Sequence, residues 1–264
     1  MISRARIKHI NSLSSKKGRE VEGCFVAEGR KVVGELIGGG YKVKEVYAVE
    51  EFRVSGFGLQ TELIDESELK KISFLTSPQK VIAVFEIPKY QLNIPELKDK
   101  LSLVLDTVQD PGNLGTIIRI ADWFGIENII CSTDTVDGFN PKVVQATMGS
   151  LARVRVHYVD PKDFFEQLKS KENKVKNQKV EGLNIYGALL EGKNIYTEKL
   201  SGNGLIVMGN ESKGISDKMQ KYITHKISIP SFSLVKNNST GKAGAESLNV
   251  AVAAAIICSE FRRR

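Results

Sequence analysis

Short apolar runs alternate with longer amphipathic ones along most of this chain. CFVAE (24–28), VKEVYAV (43–49), TELID (61–65), KVIAVFEI (80–87) and LSLVLD (101–106) have the length and β-branched content of strands. So do NIICS (128–132), RVRVHYV (153–159), LNIYGALL (183–190), GLIVMG (204–209) and KISIP (226–230). Between them lie helical patterns at 29–39, 66–75, 113–124, 140–148, 161–171, 217–223 and 246–261. Strand–helix alternation of this kind predicts an α/β protein with a mostly parallel sheet. The segment 87–100, IPKYQLNIPELKDK, breaks the pattern with Pro88 and Pro95 and is read as a linker. It separates a smaller N-terminal α/β domain, 1–92, from a larger one, 98–264.

Composition narrows the class. No window approaches the ~18 consecutive apolar residues of a membrane span. The basic N-terminus MISRARIKHINS lacks the apolar core of a secretory signal. Three cysteines, Cys24, Cys131 and Cys258, and three dispersed histidines show no metal or disulfide spacing, which predicts no metal and a reducing, cytoplasmic setting. The net charge of +7 fits a polyanionic partner. Its distribution says more, because Arg4, Arg6, Lys8, Lys16, Lys17 and Arg19 all precede the first acid, Glu20. Arg4, Arg6, Lys16, Lys17 and Arg19 are therefore candidate RNA contacts, with a solvated surface as the alternative. A second basic run, Lys169 to Lys179, reads more simply as solvated surface.

Three stretches carry candidate chemistry. In DPGNLGTIIRIADWFG (110–125), Asn113 is placed to cap a helix whose stripe is Leu114, Ile117, Ile118 and Ala121. Arg119 lies off that stripe, four residues after Gly115. Its side chain leans toward the helix start and so toward the loop at 110–113, where a phosphate or a developing negative oxygen would be held. Pairing with Asp110 or Asp122 is the equal alternative. LIVMGNESKGIS (205–216) is a buried strand opening into a glycine loop that places Glu211 where open sheets bind ligands; capping the next helix is its other reading. AESLNVAVAAAIICSEF (245–261) is a helix with Glu246, Ser247 and Asn249 in its first turn, Ser247 as possible cap and Asn249 as an amide needing partners. Neither G-x-G-x-x-G after a strand nor G-x-x-x-x-G-K-[ST] occurs, which disfavours dinucleotide and P-loop chemistry.

Taken together the three stretches resemble the motifs of the SpoU (TrmH-type) branch of the SPOUT RNA methyltransferases, over roughly 103–262. NPKVVQATMGSLARVRV (140–156) and IYGALLEG (185–192) fit as well, and FVAEGRKVVGELI (25–37) resembles the start of that family's N-terminal substrate-binding domain. The resemblance implies an α/β domain threaded into a trefoil knot, a homodimer, and S-adenosyl-L-methionine as methyl donor to a ribose 2′-hydroxyl of RNA, ribosomal rather than transfer. It places the cofactor around Gly209, Ile229 and Leu248, with Ala188 and Leu189 and also Met148–Ser150 bordering the pocket. It places Asn113, Arg119, Glu211, Ser247 and Asn249 at catalytic or substrate-facing positions. SFSLVKNNSTGKAGA (231–245) is about ten residues longer than the family pattern, and its Lys236 and Lys242 are either RNA contacts or solvated. Two other readings stay open: a non-catalytic RNA-binding or assembly protein on the same fold, and a methyltransferase acting on a small molecule or protein.

Overall fold

The computed structural model describes residues 1–54, 56–58, 60–172, 183–232 and 247–263, with side chains omitted from 170 to 172. Two compact units divide the chain. One holds Met1–Tyr90 with Asp110–Arg119 and Val136–Val154; the other holds Gln91–Gln109, Ile120–Thr135 and Arg155–Arg264.

In chain order the N-terminal elements are α1 (Arg4–Ser12), α2 (Lys16–Glu22), β1 (Cys24–Glu28), α3 (Arg30–Gly38), β2 (Val43–Ala48), β3 (Glu62–Leu63), α4 (Glu66–Ile72) and β4 (Val81–Glu86). Then follow β5 (Leu101–Leu105), α5 (Pro111–Trp123), β6 (Asn128–Ser132), α6 (Pro141–Ala146), β7 (Arg155–Val159) and α7 (Pro161–Glu172). The chain continues through β8 (Ile185–Asn194), β9 (Gly204–Met208), α8 (Asp217–Gln220), β10 (His225–Ser228) and α9 (Val250–Arg263).

The first unit is built on a four-stranded sheet of order β1-β4-β2-β3. β4 runs antiparallel to both β1 and β2, and only β2 and β3 are parallel. The expected parallel arrangement therefore does not extend to this sheet. Its core gathers Ile10, Leu13, Val26, Tyr47, Leu69, Ile72, Ile82 and Val84. α1 and α2 start where Ser3 and Ser15 accept backbone N–H bonds from Arg6 and Gly18. α4 opens with a capping box between Asp65 and Glu68.

The second unit carries a six-stranded sheet of order β10-β8-β9-β5-β6-β7, with every pairing parallel. β5 and β9 pair along their whole length and are buried at every position, as strands covered on both faces must be. The segment 87–100, expected to be a bare linker, is partly core. Residues Ile94–Lys98 form a 3₁₀ turn whose Ile94 and Leu97 join Val104, Ile130, Phe165, Leu205 and Val207. Phe165 stacks on Tyr222 at 4.5 Å in the same cluster.

Candidate active site

β5 and β9 lie side by side and point the same way, so the segments that leave them emerge at one edge of the sheet. Three contacts bind those segments together. The Asn210 amide donates to the Thr107 carbonyl at 2.8 Å, the Ser216 N–H donates to the buried Asp106 carboxylate at 2.7 Å, and the Asp106 N–H donates to the Met208 carbonyl at 2.9 Å. Asn210 also shapes its own loop. Its Oδ1 accepts from the Ser212 and Lys213 N–H groups at 3.0 and 3.1 Å, and its backbone exchanges two bonds with Gly214. Gly209 is glycine for this reason: a Cβ there would overlap the Gly214 backbone. The missing side chain makes room for the loop's own return.

Thr107 has φ +58°, a left-handed conformation that a β-branched residue rarely takes. It is held there from both sides, its N–H donating to Ser132 Oγ at 2.9 Å and its carbonyl accepting from Asn210. Backbone strain of this kind persists where surroundings over-determine it, commonly at functional sites. Asp106, Thr107 and Asn210 are the residues that sequence reasoning passed over. Asp106 closes the apolar run LSLVL, which is the signal that was there to be used.

The neighbouring strands add an apolar border at the same edge. Along β8 the partner of Lys226 is Gly187 and that of Ile227 is Lys193, so 188–192 leave the ladder as a bulge level with the end of β9. Ala188 and Leu189 in that bulge are half-buried, Leu190 is exposed, and Ile229, just past β10, is half-buried. α9 is fixed at the opposite edge: Phe261 meets the Tyr186 ring edge-on at 4.9 Å, and Arg262 donates to the Phe124 and Gly125 carbonyls. Fourteen helical residues span roughly 20 Å, about the length of these strands. With its buried stripe of Val250, Ala251, Ala254, Ile257, Cys258 and Phe261 against the sheet, α9 therefore begins toward the carboxyl edge. Open apolar side chains and loop backbone at this edge fit an adenosine, which stacks on the former and hydrogen-bonds to the latter.

Several expectations about individual residues change. The cap of α9 is Asn249, whose Oδ1 accepts from the Ala251 and Val252 N–H groups at 2.9 and 3.3 Å. It is exposed rather than a buried amide, and Ser247 stands two residues before this cap. Leu248 is 47 % exposed, and Glu246 lies outside the described residues, as do Lys236 and Lys242 of the 231–245 segment apart from its first two positions. Glu211 does not cap α8, which starts after Ser216.

α5 begins earlier than expected. Asp110 is its cap, accepting the Asn113 N–H at 2.7 Å, with Pro111 in the first turn, so Asn113 is inside the helix. Leu114, Ile117, Ile118 and Ala121 form the fully buried stripe that the spacing predicts. Gly115 faces α6, where a Cβ would overlap that of Ala146 and sit 2.9 Å from the Val143 carbonyl. Its glycine thus serves helix packing. Arg119 is exposed, and among the described residues it makes no ion pair with Asp110 or Asp122. Met148–Ser150 belong to the first unit, with Gly149 packed on Glu35.

The basic N-terminal residues separate into two groups. Arg4 and Lys17 are exposed, Lys16 is exposed beside Glu20, and Arg6 pairs with Glu62 at 2.5 Å. Arg19 is only 2 % exposed. Its guanidinium contacts Asp137 at 2.6 Å and the Leu13 and Ser14 carbonyls, so it is a structural tie and not an RNA contact. The three cysteines are buried and free, and burial pushes the Cys258 thiol up to about 12. Among the described residues no cluster of His, Cys, Asp and Glu could hold a metal ion, and no helix is long and apolar enough to cross a membrane.

Residues 100–259 match the model of the SpoU rRNA methylase family, and 4–83 match an MRM3-like substrate binding domain. The chain belongs to the SpoU rRNA methylase family. Over 261 residues it is 29 % identical to the 23S rRNA (guanosine(2553)-2′-O)-methyltransferase RlmP of Bacillus subtilis, covering 97 % of this chain and 96 % of that one. It is similar to the solved structure of a TrmH-family protein from Porphyromonas gingivalis, with 36 % identity, a TM-score of 0.83, and 100 % and 99 % of the two chains covered. It is also similar to an S-adenosylmethionine-bound rRNA methyltransferase from Sinorhizobium meliloti, with 29 % identity, a TM-score of 0.80, and 100 % and 96 % covered.

Proposed function

We propose that this SpoU-family chain transfers a methyl group from S-adenosylmethionine to a ribose 2′-hydroxyl of ribosomal RNA. The observation that carries this reading is the carboxyl edge of the parallel sheet. There a strained, doubly held Thr107 and the Asn210 loop stand beside the apolar bulge 188–192. The RlmP relative, named for that reaction on 23S rRNA, and the cofactor-bound relative support it. Residues 1–92 serve as the substrate-binding domain and 98–264 as the methyltransferase domain, in keeping with the two family matches.

When bound, the cofactor supplies an activated methyl group. Gly209, Ile229, Leu248, Ala188 and Leu189 would hold it. Arg119 orients the attacking hydroxyl. A guanidinium offers donors and no acceptor, so its work is to donate hydrogen bonds to the oxygen and an adjacent phosphate. It stabilises the emerging alkoxide, and the proton leaves to phosphate or water. Asn113 and Asn249 fix the approach, while Glu211 and Ser247 hold the loops that frame it. Exposed Arg4, Lys16 and Lys17, with Arg6, favour the RNA backbone electrostatically.

The trefoil knot, a homodimer and a cytoplasmic setting complete the reading. Trp123 at 85 % exposure and Val252 at 50 % leave apolar surface that a second copy of the chain would cover. Mapping 2′-O-methyl positions in RNA from cells with and without the protein tests the whole. Loss of a position in ribosomal RNA is expected. An unchanged map, or loss confined to transfer RNA, would contradict the reading.

A further inference from the structure

A groove of about 560 Å³ runs beside α3 in the first unit, lined by Arg30, Lys31, Gly34, Glu35, Gly38 and Gly39, with Ala152 and Arg153 on its far wall. Arg30, Gly34 and Gly38 follow one another at four-residue intervals, so they form a single line down the helix. Glycine is the poorest helix former after proline, and neither of these two has a local reason to be there. Both are helical, neither has a positive φ, and a Cβ at either would meet nothing within 4 Å. Gly39 is different, because a Cβ there would collide with Ala152 at 2.6 Å. The helix surface is thus bare where nothing among the described residues fills the space.

The walls of this bare strip are cationic. Arg30 contacts Glu50 at 2.9 Å and lies over the Phe52 ring at 5.7 Å, with its side chain 46 % exposed. Arg153 meets Glu35 at 2.6 Å with its side chain half exposed. Lys31 is exposed and makes no ion pair among the described residues. Counting the Glu50 that Arg30 meets, three cations face two carboxylates, and the remaining positive charge disfavours an apolar or cationic occupant. Two positioned guanidiniums beside side-chain-free backbone suit a ribose–phosphate chain, which must come close to be held by phosphate oxygens.

We infer that the α3 groove seats the backbone of the RNA substrate, with Gly34 and Gly38 kept small so that the strand can lie against the helix. This rests on the functional reading above and adds a specificity surface to it.

Gly34→Ala and Gly38→Ala test it directly, because steric fit and helix propensity make both variants at least as thermally stable as the parent. The full-length variants are titrated with ribosomal RNA, with S-adenosylmethionine affinity as the internal control. The Kd for RNA should rise about fivefold or more for Gly38→Ala, with cofactor affinity unchanged. Lys31→Glu should weaken RNA binding about tenfold and flatten its salt dependence by about one phosphate contact. Stable alanine variants that bind RNA as the parent does would overturn the inference, as would an unaltered salt slope in Lys31→Glu. Failure of the parent itself to methylate ribosomal RNA would instead strike the functional reading.

Discussion

The Asn210 side chain spans two loops: its Nδ2 donates to the Thr107 carbonyl at 2.8 Å while its Oδ1 accepts from Ser212 and Lys213. One amide therefore sets both the strained turn after β5 and the glycine loop after β9. Asn210→Asp keeps the acceptor and replaces the donor with a charge facing a carbonyl. Leaving that carbonyl unpaired costs about 1–3 kcal/mol. The expected outcome is a lower Tm and at least a several-fold weaker cofactor affinity. Calorimetric titration with S-adenosylmethionine checks it, and affinity equal to the parent's would show that the two loops do not need the bridge.

Buried Arg19 and half-buried Asp137 join α2 to the loop before α6 at 2.6 Å. Removing one member strands the other charge. Asp137 keeps the Phe139 N–H and some solvent, so Arg19→Ala should destabilise by about 2–3 kcal/mol, below the range for a fully buried pair. Urea unfolding reads this, and a double-mutant cycle with Asp137→Ala should recover much of the loss. A small effect on stability together with a large loss of RNA affinity would return Arg19 to the RNA-facing set.

His157 on β7 is buried, with Nε2 3.2 Å from the Asn128 side-chain oxygen. Burial first, and then Arg155, lower its pKa from the ordinary value of 6.5. The folded state therefore binds fewer protons here than the unfolded chain. Its contribution to stability is present above about pH 6.5 and is lost as pH falls from there through the depressed folded value. The Tm of the parent should drop between pH 7 and pH 5 by more than that of His157→Gln, which removes the titrating group. Parallel pH profiles would contradict the assignment.

Much of this architecture was legible because periodicity reports burial. Eight of the ten strands among the described residues fall within the apolar runs, while β8 runs on to Asn194 and β10 begins one residue early at His225; α5 shows its buried stripe in the spacing of Leu114, Ile117, Ile118 and Ala121. α1 and α2 were not legible. RARIKHINS and KKGREVE carry few apolar residues, so their charges stood out and their serine caps did not. The antiparallel pairing of β4 was hidden for another reason: strand direction depends on which partner a strand finds, not on its own composition. At the site, motif resemblance drew attention to Glu211 and Asn249. Asp106 and Asn210 act through backbone contacts to distant loops, and such contacts leave little trace in a single sequence. Arg19 shows the opposite error, since a cation in a basic cluster looks exposed until its carboxylate, 118 positions away, is placed beside it.

Single-turnover methyl transfer from labelled S-adenosylmethionine to ribosomal RNA, by the parent and by Arg119→Ala, tests the central claim most directly. The label should appear on a ribose 2′-oxygen with the parent. The variant should be slower by about 100-fold or more while its cofactor affinity stays within about twofold, the pattern of a lost transition-state donor. Equal rates in the two proteins, or label on a base instead of the sugar, would contradict it.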